Sequence, residues 1–232
     1  MNSPVQDFGS TRRIALELGH EIRLPLASLR TGTDLLAELS RETDLPDEWS
    51  RVLRMVQRGS DRLGDVADNL FALVDLIDVL TGHREARSTP IRINELVTEA
   101  EFRLSRRAPS PASRIVNRAG DELWECEPTH MVRAVYMVMS VAVSRSHAGR
   151  DVVIETVAND AENTVTILDG GPPIDAGRWD ALVNVALPNG SGSEGHALAL
   201  TVARLSAEAH GGSMGFENTP NGVRWRITLP SR

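Results

Sequence analysis

A chain of 232 residues is long enough for one large or two modest domains. Its 41% hydrophobic and 25% charged residues are ordinary for a globular protein, and a net charge of −7 argues against general binding to nucleic acid or to an anionic membrane. With only 4% aromatic residues, the core is expected to be aliphatic, which suits long helices packed by Leu, Val and Ala.

No apolar run approaches the roughly 20 residues needed to span a bilayer. Met1-Asn2-Ser3-Pro4 shows no charged segment followed by an apolar stretch, so no secretion signal is read there. Cys126 is the single cysteine and cannot form an internal disulfide; the expected location is a reducing cytoplasm. Beside Trp124 and Glu125, which look like strand, it reads as a buried or half-buried thiol and not as a nucleophile.

The first helical pattern places Ala15, Leu18, Ile22, Pro25, Leu29, Gly32, Leu36 and Leu39 alternately three and four apart, the seam of a helix packed in a bundle. His20 falls off this seam, so its ring is expected to reach solvent. Glu21 adjoins it and Arg23 follows. An imidazole can accept a phosphoryl group and hand it on, while a neighbouring carboxylate manages the ring proton. Taken alone, such a pair more often marks a solvated surface histidine. Pro25 removes a backbone donor and is expected to kink or loosen the helix one turn past His20. Thr43 to Glu48 reads as a stop and restart, with Asp44 as a cap and Pro46 in a first turn.

The second stripe is more regular: Trp49, Leu53, Val56, Ser60, Leu63, Ala67, Leu70, Val74 and Ile77. A lone helical hairpin leaves much of it wet, so two hairpins paired as a four-helix bundle bury it economically. A plain coiled-coil oligomerization element is the alternative.

The stripe ends near Gly82, and breakers and charge fill the linker at 83–90, with His83 as a solvated linker residue. Three ranges result: 1–82 helical, 83–90 linker, and 91–232 a mixed α/β domain. In the last, the expected order begins with a strand at Ile91–Ile93 and a helix from Asn94, its cap, to about Arg107. Strands follow at Ser113–Val116 and Leu123–Cys126, then a helix from Pro128 to about Ser146. Next come strands at Asp151–Val157 and Thr164–Leu168, a short helix near Ala176–Val185, and a Gly/Ser loop. A helix at Gly195–Ala209 and a hairpin of Ser213–Glu217 with Gly222–Leu229, turning at Pro220-Asn221-Gly222, complete the chain.

The segment Leu18-Gly19-His20-Glu21-Ile22-Arg23-Leu24-Pro25-Leu26 resembles the H-box of two-component histidine kinases, H-E-x-x-x-P, and the chain follows that family's order from end to end. The resemblance implies a dimerization and histidine-phosphotransfer hairpin at 1–82, followed by an ATP-binding α/β sandwich of the Bergerat or GHKL type. The family's N-box, N-x-x-x-N-A-x-K-Y, corresponds to Met137 through Arg145. Met137 and Val141 stand where its asparagines would, and Ser144 where its lysine would. The second asparagine is the family's magnesium ligand; neither Met nor Val offers the hard oxygen that magnesium needs. These residues read as helix-face core.

The G1 box, D-x-G-x-G, corresponds to Asp169-Gly170-Gly171-Pro172-Pro173. Asp169, which in the family accepts a hydrogen bond from the adenine amino group, and Gly171 are retained; Pro173 replaces the second glycine and lacks an N–H. The G2 box, G-x-G-L-G-L, corresponds to Gly195-His196-Ala197-Leu198-Ala199-Leu200, where two alanines replace glycines that would admit phosphate oxygens. His196 reads as a solvated histidine, and the lid interval Leu187–Glu194 is short. Glu208-Ala209-His210-Gly211-Gly212 resembles the family's E-x-H-G-G segment and is read as helix termination by glycine.

Three functions are therefore weighed. The first is a histidine phosphotransferase of a phosphorelay, similar to the ChpT-type proteins that keep the hairpin on a degraded ATP domain. His20 accepts phosphoryl from one receiver-domain aspartate and passes it to another response regulator, with Glu21 orienting the ring and Arg23 meeting partner or phosphate. On that reading Asp169 and Gly171 are a residual nucleotide site, the chain has no metal ligands and no cofactor, and the receiver brings its own magnesium. An upstream hybrid kinase or receiver supplies the signal, and the protein is a homodimer. The second is an ATP-dependent sensor autokinase with a divergent nucleotide site, using ATP and magnesium. The third is a non-catalytic dimeric adaptor for receiver domains. Phosphatase activity is disfavoured because Leu24, four residues after His20, cannot orient water.

Overall fold

The computed structural model describes residues 25–39, 47–107, 113–175, 177, 179 and 194–231. The chain divides into two compact units, Met1–Asp75 and Leu76–Arg232.

In the first unit, residues 25–39 form helix α1. Helix α2, Asp47–Leu80, runs for 34 residues and crosses the division. Its stripe resolves into two heptad rows with different environments. Ser60 and Ala67 are buried, flanked in their row by half-buried Leu53 and Val74. Trp49, Val56, Leu63, Leu70 and Ile77, seven apart, are between 42% and 62% exposed. Leu29, Leu36 and Leu39 of α1 are also exposed. Among the described residues, one row of the α2 stripe is thus covered and the other is exposed.

The second unit starts with the end of α2, where Thr81 N–H donates to the Ile77 carbonyl at 2.9 Å and Gly82 takes φ +74°. Glycine accepts that left-handed torsion without a Cβ penalty and ends the helix. Strand β1 (Thr89–Arg92) pairs antiparallel with β3 (Leu123–Cys126). The other described strands are β2 (Ile115–Arg118), β4 (Val152–Ala158), β5 (Glu162–Asp169), β6 (Ser213–Thr219) and β7 (Gly222–Pro230). They form a mixed sheet in the order β2-β4-β5-β7-β6, in which β2 and β4 run parallel and the remaining pairs antiparallel.

Helices α3 (Ile93–Arg107), α4 (Pro128–Arg145) and α5 (Glu194–Glu208) make the second layer, with α4 packed against the other two helices and against β5. Strand alternation gives the sheet its inner face: Val165 and Ile167 on β5, and Val223, Trp225, Ile227 and Leu229 on β7, are all buried. Helix α4 is apolar almost all round, as a helix between two layers must be, and eleven of its residues are buried.

Several expected boundaries shift. The first strand forms at Thr89–Arg92, and the helix after it starts at Ile93. Asn94 therefore lies inside the first turn and does not cap it. Ile93 is fully buried and its N–H donates to the Glu122 carbonyl at 3.0 Å, so core packing fixes the helix start one residue earlier. The strand expected at Ser113–Val116 forms at Ile115–Arg118, because its partners in register are Val152 to Glu155 of β4. The short helix expected near 176–185 and the glycine-rich loop after it lie outside the described residues, apart from Gly177 and Trp179.

Candidate functional site

Asp169 ends β5, and its carboxylate is enclosed, with no side-chain exposure. A buried carboxylate persists only when its oxygens are supplied with donors. Trp225 Nε1–H donates to Oδ2 at 2.7 Å and the Gly171 amide donates to Oδ1 at 2.8 Å. Arg145 Nε, at the C-terminus of α4, approaches Oδ2 at 3.4 Å as the partner of an ion pair. The guanidinium lies over the Trp225 ring, 5.8 Å from its centroid, and Nη2 donates to the Pro172 carbonyl. Trp225 in turn adjoins Trp179 and Phe216, with centroids 6.5 and 6.1 Å away.

The turn after Asp169 is held on both sides. Gly170 N–H donates to Ser146 Oγ at 3.1 Å, while Ile174 exchanges two hydrogen bonds with the Asn218 amide at 2.8 and 2.7 Å. A Cβ on Gly171 would stand 2.7 Å from the Arg145 carbonyl oxygen, so glycine there lets the turn meet the end of α4. Gly222, at φ +144°, does the same on β7: a Cβ would reach 1.8 Å from the Asp169 carbonyl oxygen.

Met137 and Val141 are buried in the α4 core, 6% and 1% exposed, and neither carries an oxygen. Ala199 and Leu200 of α5 are buried as well, in an unbroken helix. Asp169 and Gly171 thus come together, bonded to each other. His20, Glu21 and Arg23 lie outside the described residues.

Arg145 and Trp225 were not singled out by the sequence reading. One signal was available: Arg145 occupies the tyrosine position of the N-box pattern, a cation in a run otherwise read as core. Trp225 gave none, since its partner is 56 residues distant.

A second polar cluster joins the linker to this unit. Glu127, at the N-cap of α4, accepts from Arg84 Nη1 at 3.1 Å and from the Arg87 amide at 2.9 Å. Burial raises the Glu127 pKa, but these donors, with His130 nearby, outweigh it and hold the carboxyl below its ordinary value. The Glu127 amide donates to His210 Nε2 at 2.9 Å, so His210 carries its proton on Nδ1, 2.7 Å from the Ser206 carbonyl. The segment expected only to terminate α5 does so, with Gly211 at φ +74°, and also seats a structural histidine. Cys126 is fully buried, and burial, with Glu125 and Glu127 beside it, pushes the thiol up to about 12.

The mixed sheet with helices layered on one face is the α/β fold of GHKL-type ATP-binding domains. Solved structures share it: the mycobacterial sensor histidine kinase MprB, 20% identical with TM-score 0.54, covers 62% of this chain and 98% of its own. Full-length ShkA in complex with AMPPNP, 18% identical with TM-score 0.70, covers 94% of this chain and 46% of its own. No family model matches the sequence.

Among sequence relatives, the sensor-type histidine kinase PrrB of Mycobacterium tuberculosis is 27% identical over 248 residues, 99% of this chain and 50% of its own length. The sensor protein kinase PmrB of Pseudomonas aeruginosa is 28% identical over 231 residues, 94% of this chain and 45% of its own. The chain is thus similar along nearly its whole length to sensor histidine kinases, and it spans about half the length of the curated relatives it matches. Among the described residues no helix is long and apolar enough to cross a membrane.

Proposed function

We propose that the chain is a phosphotransfer protein of two-component signalling that exchanges phosphoryl groups with response-regulator receiver domains through His20 and does not load itself from ATP. The observation that carries the second half is the state of Asp169: the acceptor that would recognise an adenine amino group is enclosed and engaged by Trp225, Gly171 and Arg145. Met137 and Val141 support it, since an apolar pair in the core supplies no ligand to magnesium. These residues do not fit a magnesium nucleotide.

In the proposed transfer, a neutral imidazole nitrogen of His20 attacks the phosphorus of a receiver's aspartyl phosphate. The N–P bond forms as the acyl O–P bond breaks, and the receiver's carboxylate leaves with the electron pair. Glu21 accepts the proton of the other ring nitrogen, which neutralises the phosphorylated ring, and Arg23 meets the phosphate or the partner. The second receiver's carboxylate reverses each step. Magnesium belongs to the receiver. The exposed heptad row of α2 supports a homodimer in which a second copy covers Trp49, Val56, Leu63, Leu70 and Ile77 as a four-helix bundle.

The test is transfer of label from phosphorylated receiver domains: acid-labile label on the wild-type chain, absent from His20→Ala, is the expected result. Binding of receivers without any label would sink the reading in favour of an adaptor. A second reading, the ATP-dependent autokinase, has a specific observation behind it, because the relatives are sensor histidine kinases, and they favour it above the phosphotransferase.

A further inference from the structure

We propose that the linker carries a conformational device: residues 84–88 are a strap latched to the α/β unit by the side chain of Glu127, and the strap can be released while that unit stays folded. The strap has little apolar anchorage. From Thr81 to Pro90, Arg84 and Ala86 are half-buried and every other residue is exposed. Burial therefore contributes little to holding it, and polar contacts must do so. Those that reach α4 converge on one turn. Arg84 donates to Glu127 through both terminal nitrogens, Nη1 to Oε2 at 3.1 Å and Nη2 to Oε1 at 3.4 Å, and Nη2 lies 3.4 Å from His130 Nε2. The Arg87 amide adds a further bond to Oε2 at 2.9 Å.

The place of Glu127 makes release separable from unfolding. It is the N-cap of α4, where a side chain ordinarily accepts from an amide of the first turn. Here the side chain makes no cap hydrogen bond, and its carboxylate is turned to the strap instead. The helix start is held by other means. The Glu127 amide donates to His210 Nε2, its carbonyl accepts from the His130 and Met131 amides at 3.1 and 3.2 Å, and Pro128 suits the first turn. Removing the carboxylate takes away the latch and leaves the cap. At the other end, the His83 and Arg84 amides donate to the Asp78 carbonyl at 2.9 and 3.1 Å, so α2 is closed without Glu127. Once released, residues 83–90 form an exposed tether of eight residues that can extend to roughly 28 Å. One carboxylate thus sets how much free chain leads from α2 into the α/β unit, whether phosphoryl comes from a receiver or from ATP.

Limited trypsin digestion of the full-length chain, with the cuts after Arg84 and Arg87 followed by mass spectrometry, tests this. Both cuts are expected to be slow in the wild type and at least about tenfold faster in Glu127→Ala, because cleavage tracks the population of the open strap. Arg84→Ala is expected to speed the cut after Arg87 by a similar factor. The double variant should be cut there no faster than either single one, since both remove the same latch. Cys126, fully buried, is the internal control: its thiol is expected to stay unreactive in each variant until urea is added. If Cys126 of Glu127→Ala is already reactive, Arg84→Ala, which leaves the helix start untouched, decides by the same two readouts. A cut after Arg87 as fast in the wild type as in the variants overturns the proposal, as does a double variant whose rate is the product of the two increases. Cys126 labelling that rises in step with the cut in Arg84→Ala overturns it too, because release would then be unfolding.

Discussion

Replacing Asp169 by Ala measures how far this carboxylate is built into the fold. Three donors lose their acceptor. The Trp225 indole N–H and the Gly171 amide are both buried, and each buried orphan costs about 1–3 kcal/mol. Arg145 is partly exposed and can turn to water, so its pair adds no more than about 1 kcal/mol. Removing the buried charge gives back part of this, which leaves a net loss of about 2–4 kcal/mol. Asp169→Asn keeps the shape and one acceptor oxygen, and is expected to lose about half as much. Urea unfolding followed by circular dichroism at 222 nm reads both as shifts in midpoint. Were the carboxylate instead held in readiness for a ligand, Ala would be neutral or stabilising. A loss below about 1 kcal/mol for Asp169→Ala would refute the structural role described for it.

Four further outcomes are expected. The Cys126 thiol should resist a thiol reagent in the native chain at pH 8 and react fully in urea; because its folded pKa is raised from 9.0 to about 12, its contribution to stability is complete below the unfolded value and is lost as pH climbs between the two. Glu127 has the opposite sign: its folded pKa is lowered, so its contribution is present above the ordinary carboxyl value of 4.5 and disappears as acid protonates it, and Glu127→Gln should flatten the acid limb of the stability profile. Val141→Asn should cost about 2–4 kcal/mol in the same urea assay by burying an amide without partners, with no gain of magnesium-dependent nucleotide binding by calorimetry. The double variant Leu63→Glu, Leu70→Glu should sediment as a monomer where the wild type sediments as a dimer.

The parts legible in the sequence are those with local causes. The stripe of α2 follows from a spacing of three and four, and α4 from an apolar run opened by Pro128. Which heptad row stays exposed was not legible, since Ser60 and Ala67 differ from Leu63 and Leu70 through neighbours rather than through pattern. Asp169-Gly170-Gly171 was readable as a turn after a strand. That its carboxylate is engaged was not, because Trp225 and Arg145 reach it across the sheet and from the end of α4. Asn94 shows the same limit on a small scale: its side chain suits a cap, but the burial of Ile93 starts the helix first.

The central claim is tested most directly by incubating the wild-type chain with labelled ATP and magnesium beside a sample given a phosphorylated receiver domain. Acid-labile label at His20 is expected in the second sample and none in the first. Rapid His20-dependent labelling from ATP would contradict it.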